Sequence, residues 1–169
     1  MISGRLVVAA LTFLVLPHQR TVVSEPLEPL QFLVGSCWTG KLQGAIGEDT
    51  HCFEAVFGGR FVRDRHVVRG GKAPYEGETI YAWDPKTKKV IFTYWASDGS
   101  ITTGTMERQG NGDLVFDESY ANETGGLRLR TTFVRMGNDA YSVVTLKRVD
   151  AGWAEMFRTT MRRTAKSPG

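Results

Sequence analysis

Residues 76–99, EGETIYAWDPKTKKVIFTYWASDG, carry the reading of the fold. Two runs of β-branched and aromatic residues, Thr79–Trp83 and Val90–Trp95, flank Asp84-Pro85-Lys86-Thr87. Asp hydrogen-bonds its own backbone and Pro presets φ, so this tetrapeptide is a turn and the stretch a β-hairpin. A second turn follows at Ser97-Asp98-Gly99-Ser100, where Asp-Gly suits the positive φ of a type I′ turn. Alternation sets Tyr81 with Trp83, and Phe92 with Tyr94, while Trp95 points to the opposite face. A sheet apolar on both sides is sandwiched or rolled into a barrel.

Working outward, the same pattern repeats. Ten strands are expected: Cys37–Gln43, His51–Phe57, Phe61–Arg69, Glu76–Trp83, Val90–Ser97, Thr102–Arg108, Leu114–Tyr120, Arg128–Arg135, Ala140–Val149 and Trp153–Arg162. Between them lie glycine- and asparagine-rich turns such as Gly58-Gly59, Gly70-Gly71 and Asn122-Glu123-Thr124-Gly125-Gly126. Links this short make sequence neighbours antiparallel neighbours in space, and no helical crossover is available for a parallel pair. An open ten-stranded sheet exposes two long edges, so an all-β, antiparallel up-and-down barrel is the expected architecture, with a two-sheet sandwich as the alternative. A barrel of more than eight strands holds more interior than its own side chains fill.

The chain has 169 residues, enough for one domain with a sizeable core. Arg5 precedes the apolar run Leu6–Leu16, which has signal-peptide length and is too short for a membrane-spanning helix. Residues 1–24 therefore read as a signal peptide cut after Ser24, and 25–169 as a single barrel domain, exported to a periplasm or secreted. An uncleaved leader that tethers the chain is the rival. Val34-Gly35-Ser36-Cys37 lies too far beyond the apolar run to be a lipoprotein box. The Pro-punctuated segment Glu25–Val34 follows, and its Leu27, Leu30, Phe32 and Leu33 are suited to plug one barrel end.

Export gives the two cysteines a role, because oxidising compartments favour disulfides. Cys37 and Cys52 fall on the first two strands, and a roughly symmetric hairpin through residues 44–48 places them opposite one another. A metal-binding or reactive pair has no Cys-x-x-Cys spacing to support it. The net charge of +3 is uneven: residues 25–125 hold 10 Lys+Arg against 15 Asp+Glu, and residues 126–169 hold 9 against 3. No nucleic-acid motif accompanies that basic end, so no nucleic-acid partner is expected; a solvated strand face accounts for it. Asn122-Glu123-Thr124 is a glycosylation sequon in a eukaryotic secretory pathway and otherwise a turn.

Leu30-Gln31-Phe32-Leu33-Val34 followed by Gly35-Ser36-Cys37-Trp38-Thr39-Gly40 resembles the opening of calycin-like barrels. Tyr81-Ala82-Trp83-Asp84-Pro85, Tyr94-Trp95 and Asp98-Gly99 are similar to the same group, in particular nitrobindin-like barrels that share the ten-stranded form of fatty-acid-binding proteins. The resemblance implies a lipocalin-like cavity for a small apolar or amphipathic ligand. Nitrobindins hold haem through a histidine near the terminal strand; Trp153–Arg162 has none here, so no cofactor is expected, with His66 the residual haem candidate. A surface or hydrogen-bonded role is the plainer reading of His66. Fatty-acid-binding proteins place a carboxylate-binding arginine on a terminal strand, which makes Arg158 a candidate beside an outward-facing role among its neighbouring arginines.

Motifs for catalysis are missing: no Gly-x-Ser-x-Gly, Walker loop, Gly-x-Gly-x-x-Gly or His-Glu-x-x-His occurs. His51 and Cys52, adjacent on a strand, point to opposite faces and form no dyad. Ligand binding without catalysis is thus the leading expectation, with Trp38, Tyr81, Trp83, Tyr94 and Arg158 as candidate contacts, and plain core packing as the other role for the aromatics. The alternatives are an enzyme using a cavity carboxylate or His66, and a packed structural envelope protein. No metal ligands are readable from spacing.

Overall fold

The computed structural model describes residues 22–41, 47–71 and 75–164, and the signal-peptide expectation for 1–24 lies outside them except at its last three residues. A 3₁₀ turn over Glu25–Leu30 leads into ten strands: β1 Ser36–Lys41, β2 Glu48–Val56, β3 Phe61–Arg69, β4 Tyr75–Asp84, β5 Lys89–Ala96, β6 Ile101–Arg108, β7 Leu114–Asn122, β8 Gly125–Arg135, β9 Ala140–Val149 and β10 Gly152–Thr164. Each strand pairs antiparallel with its sequence neighbour, and β1 pairs with β10, so the sheet closes as an up-and-down barrel. The expected end of the first strand, residues 42–43, falls outside the described residues. No helix among the described residues is long and apolar enough to cross a membrane.

The hairpin at Asp84 is built as its sequence dictates. Asp84 Oδ1 accepts the Lys86 amide at 2.9 Å, and Asp84 Oδ2 accepts the Thr87 hydroxyl at 2.6 Å. The turn after β5 differs from expectation. Only Gly99 has positive φ there, at 82°, so it is not a type I′ turn, which needs two such residues. Gly99 N–H instead donates to Ala96 O and the Ser100 amide donates to Asp98 Oδ1, which makes a three-residue loop with glycine in the left-handed position. Asn122 forms the same kind of local bond, accepting from the Thr124 amide and hydroxyl.

The N-terminal segment plugs one end of the barrel. Leu27, Leu30 and Leu33 are fully buried, and Val23 joins them. Trp38, fully buried, sits beneath: its indole N–H donates to Leu33 O at 3.1 Å, and it meets Phe32 and Tyr141 edge-on. Arg163 covers the outer side of that ring, 4.4 Å from its centroid. The seam between β1 and β10 is braced one strand away, where Cys37 and Cys52 face each other in register and form a disulfide. Trp38 and His51, the next pair, point to the other face.

Removing the plug's apolar weight opens a cavity at a site with little room to collapse. Leu30→Ala is expected to cost about 2–5 kcal/mol in urea unfolding, and Glu28→Ala, on the solvent side, less than about 0.5 kcal/mol. Equal costs would show that the segment does not pack. Reducing the disulfide should lower stability by about 3 kcal/mol in the chain-entropy picture and leave the β-sheet circular dichroism spectrum in place at low denaturant.

Candidate functional site

Inside the barrel a cavity of about 300 Å³ lies between the plug and the opposite end. Two glycines help to keep it open. Phe92 lies flat over Gly104 and Tyr94 over Gly77, each occupying the space that a β-carbon would fill, so both rings stay against the wall. The far wall is aromatic: Phe116, Phe133 and Tyr141 on β7, β8 and β9 touch one another and Tyr81 in a chain of tilted and edge-on contacts. Thr131 and Thr145 satisfy each other at 2.8 Å, which lets two hydroxyls face the interior without loss.

The near wall is ionisable. On β2 the inward positions are Asp49, His51 and Phe53; on β3 they are Val62, Asp64 and His66. Antiparallel register sets His51 directly opposite His66, and Phe53 opposite Asp64. The two imidazoles stack with centroids 4.2 Å apart and planes 12° apart. His51 Nδ1 donates to Asp64 Oδ2 at 2.6 Å, and its Nε2 lies 3.3 Å from Asp49 Oδ2. His66 Nδ1 meets the Tyr94 hydroxyl at 3.0 Å, and its Nε2 lies 2.6 Å from Asp49 Oδ1. Both rings thus engage an orienting group through Nδ1 and turn Nε2 to the same carboxylate.

These contacts set the local acidities. Burial alone would push the Asp49 carboxyl up, but the charge and hydrogen bond of His51, and then the adjoining His66 ring, hold it well below the usual carboxylate range. Burial also opposes a charge on His51, and the carboxylates of Asp64 and Asp49 outweigh it, raising that imidazole well above its ordinary value. Burial, then the bonded neighbour Tyr75, pushes the Tyr94 phenol up, so it stays a neutral hydroxyl. Across the cavity Glu118 is raised to about 7, by burial first and Asp117 second, against a hydrogen bond from Thr131.

The residues singled out from sequence are scattered over this frame. Tyr81 and Tyr94 line the cavity. Trp38 is core beneath the plug, and Trp83 is 39% exposed at the barrel's plugged end, outside the cavity wall. Arg158 stands on the outer face, exposed and paired with Glu155 at 2.8 Å. Its strand neighbour Thr159 is the one that faces inward. Among the described residues no Lys or Arg lines the cavity. His66, the residual histidine, is inside and hydrogen-bonded rather than on the surface. Sequence reasoning missed Asp49, His51 and Asp64. The signal available was the alternation of Asp49 with His51 and of Asp64 with His66, which becomes a cluster only when β2 and β3 are set in register.

Fold and site together define a closed, ten-stranded antiparallel barrel with an internal, partly ionisable cavity. No protein-family model matches the chain, and no curated protein is similar to it, so the geometry carries the functional reading.

Asp49, His51 and Glu118 make stability pH-dependent with opposite signs. Asp49, depressed in the fold, contributes stability above about pH 4 that is lost as pH falls. His51, raised in the fold, contributes below about pH 6.5 and its contribution is lost as pH climbs through the raised value. Glu118 is an acid with raised pKa: the fold holds its proton more tightly, so its contribution is present below pH 4.5 and lost as pH rises through about 7. Glu118→Gln should therefore flatten the fall in stability between about pH 4.5 and 7, while the acid limb stays. Thermal midpoints across pH 3–9 check this; superimposable curves for wild type and variant refute it.

Proposed function

We propose that this barrel binds a small amphipathic ligand in its cavity and does not transform it. The observation that carries the reading is the cavity itself. At about 300 Å³ it lies at the small end of ligand sites, and its two sides differ chemically. In a ring of ten strands β2 and β3 stand opposite β7 and β8. The Asp and His groups therefore face Phe116 and Phe133 across the lumen, an arrangement suited to a molecule with one polar and one apolar end. A packed structural barrel would fill that space with side chains.

The likeness to calycin-like barrels, nitrobindin-like and fatty-acid-binding proteins among them, agrees with this reading in its ten-stranded, closed form. It differs in the head-group anchor. A carboxylate clasped by Arg158 is not part of the proposal, because that side chain faces outward. Haem is not part of it either, since the terminal strand Trp153–Arg162 carries no histidine. Export to a periplasm or cell exterior belongs to the same proposal, supported by the Cys37–Cys52 disulfide and the apolar run Leu6–Leu16. Nucleic acid is left out as a partner: Arg130 and Arg148 of the basic end are stacked on Trp153, and Arg130 is also paired with Asp117.

The neutral amphiphile N-phenyl-1-naphthylamine tests the cavity. Its fluorescence should rise on binding to the purified protein, and Val143→Phe, which adds bulk to the inner wall, should weaken binding at least about 10-fold, roughly 1.4 kcal/mol. Trp83→Ala, outside the wall, should leave it unchanged. Binding that ignores Val143→Phe, or responds to Trp83→Ala instead, would place the site elsewhere.

A further inference from the structure

We infer that Asp49, His51 and His66 form a binding site for one divalent first-row transition ion of the zinc class, held by the Asp49 carboxylate and the two imidazole Nε2 atoms. The inference does not depend on an organic ligand: the ion alone tests it.

Three observations converge. The donor atoms of Asp49, His51 and His66 all lie within 4.8 Å of one another, and all three residues line the cavity. Two imidazoles and one carboxylate are a donor set that suits such ions and leaves a coordination position free. An ion about 2.0–2.1 Å from each of its tetrahedral donors sets those donors about 3.3 Å apart. His51 Nε2 and Asp49 Oδ2 are already 3.3 Å apart. His66 Nε2 and Asp49 Oδ1 are closer, at 2.6 Å, and the two stacked rings, 12° from parallel, would swing apart on binding so that both lone pairs meet one ion.

The second observation is how that close pair fails to bond. Asp49 Oδ1 and His66 Nε2 are buried and within ion-pair distance, yet neither makes a hydrogen bond of acceptable geometry. The Asp49 side chain is only 9% exposed, so water does not relieve it. Buried polar atoms left this way are costly, and a cation between the two would satisfy both.

The third is the layer behind the donors. A metal-bound imidazole characteristically donates its other ring N–H to a carboxylate or another acceptor, which fixes the tautomer and aims the lone pair. His51 Nδ1 donates to Asp64 Oδ2 at 2.6 Å, and His66 Nδ1 meets the Tyr94 hydroxyl at 3.0 Å. Asp64 is 3% exposed, and Tyr94 is held flat by Gly77. Both supports are packed into the barrel wall. An ion here would also put positive charge on a wall where the described residues include no Lys or Arg.

The test uses the disulfide-intact chain, treated with EDTA and desalted. Co²⁺ should bind at one equivalent with a visible d–d band, and Zn²⁺ should displace it and raise the thermal midpoint. In long-range ¹H–¹⁵N spectra Zn²⁺ should move Nε2 of His51 and His66 and leave both Nδ1 atoms protonated. Asp64→Asn should weaken Zn²⁺ binding roughly 10–100-fold, Asp49→Asn and His66→Gln by more, and Glu155→Gln on the outer face not at all. A wild-type protein that takes up neither ion overturns the inference, as does wild-type affinity in Asp49→Asn or His66→Gln. Where those variants do not fold, the wild-type spectra decide: shifts at both Nε2 atoms support the site, and unmoved Nε2 resonances refute it.

Discussion

Closure of the sheet is the constraint on which everything else rests. The β1–β10 seam is only three residue pairs long, Cys37 with Thr164 to Thr39 with Arg162, against eight or nine at most other junctions. So short a ladder needs help from its surroundings. The disulfide ties β1 to β2 at the seam's edge. Arg163 ties β10 to the plug and the β8–β9 turn through the carbonyls of Phe32 and Asn138 and the hydroxyl of Ser36. Once closed, the sheet has no edge to protect, and inward residues share one lumen.

That lumen is treated differently at its two ends. Leu27, Leu30, Leu33 and Trp38 fill one end with apolar side chains and leave no room for a guest. Toward the other end the strands carry threonines, tyrosines and the ionisable cluster, and glycines where aromatic rings lie. A glycine facing a ring is a weak choice for a strand, since it contributes no packing of its own. Here it exchanges packing for space, because Phe92 and Tyr94 fold against the wall instead of reaching the barrel axis.

Local chemistry made the fold legible. Asp84-Pro85, the paired glycines and the strict antiparallel order are short-range signals, and the two cysteines were legible because a symmetric hairpin brings them together. Tyr81 and Tyr94 were legible as inward aromatics by alternation. Trp83 shares that parity yet escapes the cavity, because it lies at the end of β4, beyond the reach of the lumen. Arg158 was suggested by residue type alone, and the irregularity between Glu155 and Phe157 in β10 means that its facing has to be read from the pairing with β9 rather than counted from the strand's start. The ionisable cluster was illegible for a different reason. Asp49 falls in the part of β2 that begins before the expected start at His51, and the meeting of His51 with His66 is a property of inter-strand register, which a single strand does not encode.

The cluster's energetics argue that it is there for use. Two carboxylates and two imidazoles in one wall are expensive to desolvate, and an apolar wall of the same volume is often as stable or more so. Pairing offsets part of that cost through Asp64 and His51, but it leaves Asp49 Oδ1, Asp64 Oδ1 and His66 Nε2 without hydrogen bonds. A network built only for stability would close these valences on one another, as Thr131 and Thr145 do a few residues away. Instead both imidazoles are braced from behind and directed at one oxygen pair, on adjacent strands whose ladder of nine residue pairs fixes the spacing. Support behind and unsatisfied atoms in front is the arrangement that the proposed cation would complete.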